Sequence, residues 1–407
     1  MFNSPCIITG LEIGTSKVCA ITAKVTDDGT LNVVGLGQAP SRGVRKGEIV
    51  EAQQVAEDVR DAIADAETMA DVEIQNVYLA VSGAHVRSFN NRGQHPILSH
   101  DRPIGSEDLA DVTNNAKAFH LPGENVKLHV IRQHYLVDGQ TITNPVGMFG
   151  GKLELDIHVI HGSDPKFRTA INAVTSLHLQ VNSIVFSGLA SALALLSPQQ
   201  KQAGVLLIDM GGGTTDYVVY RDGVMKHSGV LAVGGDHVSN DLGCGLKIPL
   251  RRAEELKIEF GSAICEQGRP AQVVTFPSAV GLPDKTLDLE KLHRIMSLRL
   301  TETFQIIAEQ LQEFDVLPFL REGVVLCGGG ARIPGIQQLA QSIFQLPVSV
   351  GKSESIAGLK SALDQPEFAA PLGLVRFGYM EMRNQIDNKP SFRRTIRGSL
   401  TSMFRRN

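Results

Sequence analysis

Two short stretches carry the residues best suited to chemistry: Glu12-Ile13-Gly14-Thr15-Ser16-Lys17 and Asp209-Met210-Gly211-Gly212-Gly213-Thr214-Thr215-Asp216. A loop that wraps a triphosphate must turn backbone N–H groups toward the anion and keep side chains out of the way. Glycine does both, and an adjoining Thr or Ser adds a hydroxyl donor. Gly14, Thr15 and Ser16 fit that task in the first stretch, and Gly211, Gly212, Gly213, Thr214 and Thr215 in the second. Lys17 supplies a positive charge for a β- or γ-phosphate. Glu12 and Asp209 each close an apolar strand; facing each other across a cleft, they would hold Mg²⁺ through its waters, because that ion keeps most of its hydration shell.

A third stretch follows the strand pattern Gly323-Val324-Val325-Leu326-Cys327. Its residues Gly328, Gly329, Gly330 and Ala331 let a flat ring such as adenine lie against the backbone, or make a tight turn into the helical pattern after Gly335. Glu254 and Lys257, with Glu255 on the same helical pattern, are placed either to bond ribose hydroxyls or to form a charged, solvated face. No G-x-x-x-x-G-K-[ST] occurs, and no strand–G-x-G-x-x-G–helix, so neither a P-loop nor a Rossmann dinucleotide site is supported.

The elements that must position these residues repeat. Cys6 to Leu11, the first loop, a strand to Val25, the turn Asp28-Gly29 and a strand to Leu36 follow one plan. Gly204 to Ile208, the second loop, a strand to Tyr220, the turn Asp222-Gly223 and a strand to Val233 follow it again. Two such halves predict a two-lobed α/β chain with a cleft between the lobes. Amphipathic helices are expected at 53–69 and 165–177, and an all-round apolar helix at 188–196. Residues 85–161 break the plan and read as a small inserted α/β unit holding eight of the twelve histidines. The one close pair, His158 and His161, falls on opposite faces of a strand, which favours packing or polar roles over a metal site.

The order of first loop, connecting helix, second loop and third loop resembles the actin/Hsp70/sugar-kinase superfamily. Within it the chain is similar to the FtsA family of bacterial cell-division proteins. The closer likeness rests on Gly10-Leu11-Glu12-Ile13-Gly14-Thr15-Ser16-Lys17, Pro40-Ser41-Arg42-Gly43, Tyr78-Leu79-Ala80-Val81-Ser82-Gly83, Asn144-Pro145-Val146-Gly147 and Ile208 to Thr214, and spans essentially the whole chain. It implies an actin-like two-lobed ATPase-domain fold of duplicated RNase H-like halves, with an inserted α/β subdomain 1C at 85–161 and a C-terminal amphipathic helix. Subdomain 1A would take 1–84 and 162–196, completed by about 360–380. Subdomain 2A would take 197–233 and 302–359, and 2B 234–301; a linker at 381–390 would lead to a membrane-targeting helix at 391–407.

The resemblance further implies ATP with Mg²⁺ as cofactors and assembly with other copies into an actin-like filament. It also implies tethering of FtsZ filaments to the cytoplasmic face of the inner membrane at the division site, with later divisome proteins recruited through subdomain 1C. Arg299 and Glu302 match the segment on which an FtsZ C-terminal tail docks; from the residues alone they read equally as a surface ion pair. Two departures stand out: Glu12 replaces the superfamily's usual Asp, and 184–197 holds no acid or amide to orient an attacking water, so slow or absent hydrolysis is expected. Other readings are a pilus-assembly actin-like adaptor, a small-molecule kinase, or a chaperone ATPase. The kinase reading lacks a base, and the chaperone reading lacks a substrate domain after the second lobe.

On a helical wheel of 391–407, Phe392, Ile396, Leu400, Met403 and Phe404 form one apolar stripe. Arg393, Arg394, Arg397, Arg405 and Arg406 flank and oppose it, with no acid among them. Each apolar side chain offers roughly 1.5–3 kcal/mol on burial, and each arginine about 1 kcal/mol near anionic lipid. Docking on a protein groove and packing against the body are the competing readings. The 407 residues carry a net charge of −4; without the tail's five arginines, residues 1–390 hold 34 bases against 43 acids. That acidic body, with no Trp and five Tyr, argues against a nucleic-acid partner. Five scattered cysteines form neither a disulfide framework nor a zinc pattern and suit a reducing compartment. The N-terminus shows no secretory signal, and no apolar run is long enough to span a bilayer.

Overall fold

The computed structural model describes residues 6–98, 101–265, 273–276, 285–353, 356–359 and 365–387. The expected membrane helix at 391–407, with all ten of its named residues, lies outside the described residues.

Two sheets share one topology. In the first, Cys6–Ile13, Lys17–Val25 and Leu31–Pro40 form an antiparallel meander; Asn76–Val81 then adds parallel to Cys6–Ile13, and Gln180–Phe186 parallel to that. In the second, Val205–Met210, Thr215–Arg221 and Val224–Leu231 make the meander, and Val324–Cys327 and Val348–Val350 add in parallel. Counted within each half, these five strands run third, second, first, fourth, fifth in both sheets, and Ala357–Gly358 adds a sixth strand beside Leu31–Pro40 in the first. The Asp222–Gly223 hairpin takes positive φ at both residues, 55° and 77°, as a two-residue turn matched to the strand twist requires. Glu12 and Asp209 therefore sit near the C-terminal ends of equivalent first strands. There Glu12 pairs with Cys19, while Asp209 lies between Asp216 and Cys327.

Helices cover both sheets, so their strands read as near-continuous apolar runs. Helix Ala52–Ala70 lies on the first sheet at backbone distance, because a side chain on Gly37 would overlap the Ala62 carbonyl. Helix Ser187–Leu195 is buried on nearly every side and connects the halves. It crosses the final helix, Ala369–Asp387, where Gly373 rests on the backbone of Ala190. The expected linker at 381–390 differs here: residues 381–387 continue the final helix. Their polarity suggested a linker, but Glu381, Met382, Arg383 and Gln385 are good helix formers, and polarity alone does not stop a helix. Helix Leu289–Glu313 likewise runs unbroken through residue 301, where a 2B–2A boundary was drawn.

The insertion has its own core. Strands Arg87–Pro96, Lys152–Ser163, Asn125–Val137 and Gln140–Ile142 form an antiparallel sheet, in that order, under helix Ser106–Lys117. Ile104, Val112, Leu153, Leu155 and Ile157 fill the space between them. Asp108 anchors the helix start: it accepts hydrogen bonds from the Gly105 amide and the Arg102 guanidinium, which hold its carboxyl well below the usual range. Among the described residues no cluster of three or more His, Cys, Asp or Glu could hold a metal ion, and no helix is long and apolar enough to cross a membrane.

The crossing at Gly373 yields a prediction. Gly373→Ala forces a methyl into the Ala190 backbone, an overpacking that costs about 1–3 kcal/mol. A clear fall in the thermal midpoint is expected by calorimetry; an unchanged midpoint would show that the crossing tolerates separation.

Candidate functional site

Glu12 and Asp209 approach from opposite lobes. Burial pushes the Glu12 carboxyl up to about 7; the charge of Asp209 adds to the rise, and Lys17 opposes it. Burial likewise raises Asp209, against hydrogen bonds from the Ser191 hydroxyl and the Cys327 thiol. Asp216, paired beside Asp209, is raised well above the usual range by burial, and the Ser82 hydroxyl of the first lobe donates to its Oδ1. Glu12, Asp209 and Asp216 thus lie within reach of one another's charge, with Asp216 buried and the other two partly so. The Lys17 ammonium that opposes the rise at Glu12 and Asp209 lies 4.0 Å over the Phe368 ring. The three carboxyls do not by themselves make a metal-ligating cluster; a hard divalent cation held near Glu12 and Asp209 through its own waters would lower the carboxyl pKa values that burial and repulsion have raised.

The two loops have the same turn. The Gly14 amide donates to the Lys17 carbonyl at 3.0 Å, and the Gly211 amide to the Thr214 carbonyl at 2.9 Å. They also touch. A side chain on Gly213 would overlap the Thr15 hydroxyl and lie 2.8 Å from Lys46 Cα, and one on Gly212 would lie 3.1 Å from Ser16 Cβ. The Thr15 hydroxyl accepts from the Gly47 amide at 3.0 Å, so the hairpin tip Lys46–Gly47 completes the contact. The Gly211 and Gly212 carbonyls accept from the amides of Gly235 (3.0 Å) and Asp236 (2.8 Å), fixing the second loop to the start of helix Gly235–Leu246. The amides of Thr15, Ser16, Gly212, Gly213 and Thr214 donate to no acceptor among the described residues. Amides left open in two facing loops make an anion cradle.

The third loop closes the same space. Gly328 has φ +78°, and a side chain there would strike the Asp209 carboxylate; one on Gly330 would meet Met210 Cβ at 2.7 Å. Gly329 differs: a side chain there would meet no protein atom within 4 Å. The stretch is a tight turn, Gly329–Arg332, with an open face at Gly329. Lys257 Nζ donates to the Gly235 carbonyl at 3.1 Å and pairs with Glu254 at 2.7 Å, while the Ser239 hydroxyl donates to Glu254. These two side chains therefore stand beside the second loop, joined to it through Gly235.

Arg299 and Glu302 lie elsewhere, on helix Leu289–Glu313. Arg299 pairs with Glu302 and, through Nη2 at 3.1 Å, with Asp241 of helix Gly235–Leu246; its neighbour Leu298 is 66 % exposed. Sequence reasoning missed several partners. Ser191 was hidden in an apolar helix, and Ser82 and Asp216 meet only once the lobes close. The Lys46–Gly47 tip had a readable signal, a glycine turn between short extended pairs. The connecting helix brings Ser191, a hydroxyl already committed to Asp209, and no carboxylate or amide that could orient water.

Comparison with known proteins agrees with this architecture. Residues 206–373 match the family model for cell division protein FtsA, and residues 83–161 match the SHS2 domain inserted in FtsA. The chain is 34% identical to the cell division protein FtsA of Pseudomonas aeruginosa, over 91% of this chain and 89% of that one. It is 33% identical to that of Escherichia coli K12, over 98% and 96%. Among solved structures it is similar to the PilM-PilN type IV pilus biogenesis complex, with TM-score 0.66, 16% identity and 91% and 98% coverage. It is also similar to MreB5 of Spiroplasma citri bound to ADP, with TM-score 0.56, 14% identity and 94% and 98% coverage. At those identities the solved structures establish the fold, which is actin-like.

The raised Glu12 carboxyl makes a testable cost. Its folded pKa, about 7, exceeds the ordinary 4.5, so its stability contribution is lost as pH rises from about 4.5 to about 7. In protein stripped of nucleotide and divalent cations, Glu12→Gln should raise stability on the order of 3 kcal/mol at pH 8, and much less at pH 5. Equal denaturation midpoints for the two proteins at pH 8 would mean that the carboxyl is not under strain.

Proposed function

Because the chain belongs to the FtsA family of cell division proteins, we propose that it is an ATP-binding, actin-like adaptor that self-associates and links FtsZ filaments to the cytoplasmic face of the inner membrane. The observation that carries the nucleotide reading is the pair of touching loops with open amides around a buried, mutually repelling carboxylate pair. Gly14, Thr15 and Ser16 from one lobe and Gly211, Gly212, Gly213, Thr214 and Thr215 from the other would cradle the phosphates. Lys17 adds charge, and Glu12 and Asp209 would hold Mg²⁺ through water. The metal would neutralise phosphate charge. Gly328 to Ala331 would lie under the adenine, with Glu254 and Lys257 toward the ribose. Hydrolysis is slow or absent on this reading, since the connecting helix offers nothing to orient water.

Partner binding divides over the surface. Arg299, Glu302 and the exposed Leu298 would receive the acidic and apolar FtsZ C-terminal tail, with Asp241 competing for Arg299. Later divisome proteins would bind the insertion. The tail would lie in anionic lipid through Phe392, Ile396, Leu400, Met403 and Phe404, with Arg393, Arg394, Arg397, Arg405 and Arg406 at the headgroups. A kinase is disfavoured: the first-lobe cavity beside the loops, lined by Ser82, His85 and Lys166, holds about 80 Å³, far below the roughly 300 Å³ at which ligand pockets begin.

Two experiments test this reading. A Cβ at Gly329 meets no protein atom within 4 Å, so Gly329→Leu should keep the fold while ATP affinity falls at least about tenfold, a loss of about 1.4 kcal/mol; unchanged binding of a fluorescent ATP analogue would refute the adenosine assignment. Phe404→Glu or deletion of 391–407 should leave ATP binding intact and abolish sedimentation with phosphatidylglycerol-containing vesicles. If the truncated chain still pellets with them, the tail is not the anchor.

A further inference from the structure

The insertion belongs to the first lobe by chain, yet it also docks on the second. Its edge strand Arg87–Pro96 faces the edge strand Val224–Leu231 of the second sheet. Exposed strand edges leave carbonyls that need donors. Here three side chains of the insertion supply them. Ser88 Oγ donates to the Ser228 carbonyl at 2.6 Å, Asn90 Nδ2 to the Lys226 carbonyl at 2.9 Å, and Gln133 Nε2 to the Met225 carbonyl at 2.6 Å. Ser88 and Asn90 share one face of their strand, and Ser228 and Lys226 answer at the same two-residue step. Behind them lies His158, completely buried, with Nδ1 at 2.7 Å from Asn90 Oδ1 and Nε2 at 2.8 Å from Ser228 Oγ. An amide oxygen only accepts, so Nδ1 carries the proton and Nε2 accepts from the serine.

This docking is separate from the helix crossing at Gly373 and Ala190 and leads straight to the cleft. Strand Val224–Leu231 continues into Val233, whose carbonyl accepts from the Thr215 hydroxyl at 2.8 Å. Gly235 and Asp236 follow, and their amides hold the carbonyls of Gly211 and Gly212. The bonded edge and the second phosphate loop are thus joined by a few residues of one continuous segment.

We infer that the insertion is a latch between the lobes: its grip on strand Val224–Leu231 and the occupation of the cleft by a nucleoside triphosphate strengthen each other. The inference rests on the nucleotide reading above. Coupling of this kind is reciprocal, so whatever tightens the insertion on the second lobe slows nucleotide release, and nucleotide steadies the insertion. A partner that draws the insertion away would open the cleft without touching it.

Hydrogen exchange and nucleotide release in the full chain test this. Ser88→Ala with Gln133→Ala removes two donors but leaves both bonds of His158, so folding is retained; Asn90→Ala is the harsher companion. With Mg²⁺-ATP, the parent should gain protection at 211–216, 224–231 and 87–96. The double variant should release ATP at least about fivefold faster and keep protection at 211–216 while losing the ATP-dependent gain at 87–96. Release at the parent's rate, with exchange at 87–96 raised equally with and without ATP, would make the contact a static buttress and overturn the latch. No ATP-dependent protection at 211–216 in the parent would instead overturn the nucleotide reading, and the latch with it.

Discussion

Burying Glu12 and Asp209 within reach of each other's charge is the interaction on which the rest of the structure depends. Neither carboxylate is at ease there, and the fold accepts the cost because each sits at the end of a strand whose position the sheet dictates. Around them everything else is arranged to bring two lobes together without crowding the centre. Glycines line both loops, the third loop passes beneath Asp209 only because Gly328 lacks a side chain, and the helices that cross at Gly373 and Ala190 meet backbone to backbone. Ionising both carboxyls is therefore unfavourable by itself, and a ligand that brings positive charge there would relieve the cost.

Much of this was legible in the sequence because it is local. An apolar strand, an acid, glycines, a hydroxyl and an Asp-Gly turn are contiguous, and their recurrence two hundred residues later announced two halves of one design. The inserted unit was visible as an interruption of that design. What stayed hidden is made by long-range closure. Ser82 bonds Asp216 and the Lys46–Gly47 tip meets Gly213 only when the lobes meet. Arg299 looked like a partner of Glu302 alone, because helical spacing reveals neighbours on one helix and not Asp241 on the next. Polarity after residue 380 was mistaken for the start of a linker, although the residues there favour a helix.

The family gives this geometry its setting. On the proposed reading, a clamp for nucleotide with no acid or amide in the connecting helix would suit a protein whose state matters more than its turnover. Such a state would be useful where several surfaces act together, and the insertion and the helix carrying Arg299 are separate elements of the chain.

The final helix has a mechanical consequence. It contributes Gly373 to the crossing with Ala190 and then runs on, as one continuous helix, to Asp387. The fourteen residues beyond Gly373 extend about 21 Å at the helical rise. A pull on the chain at that end would be carried by this rod to its backbone contact with the helix that joins the two halves.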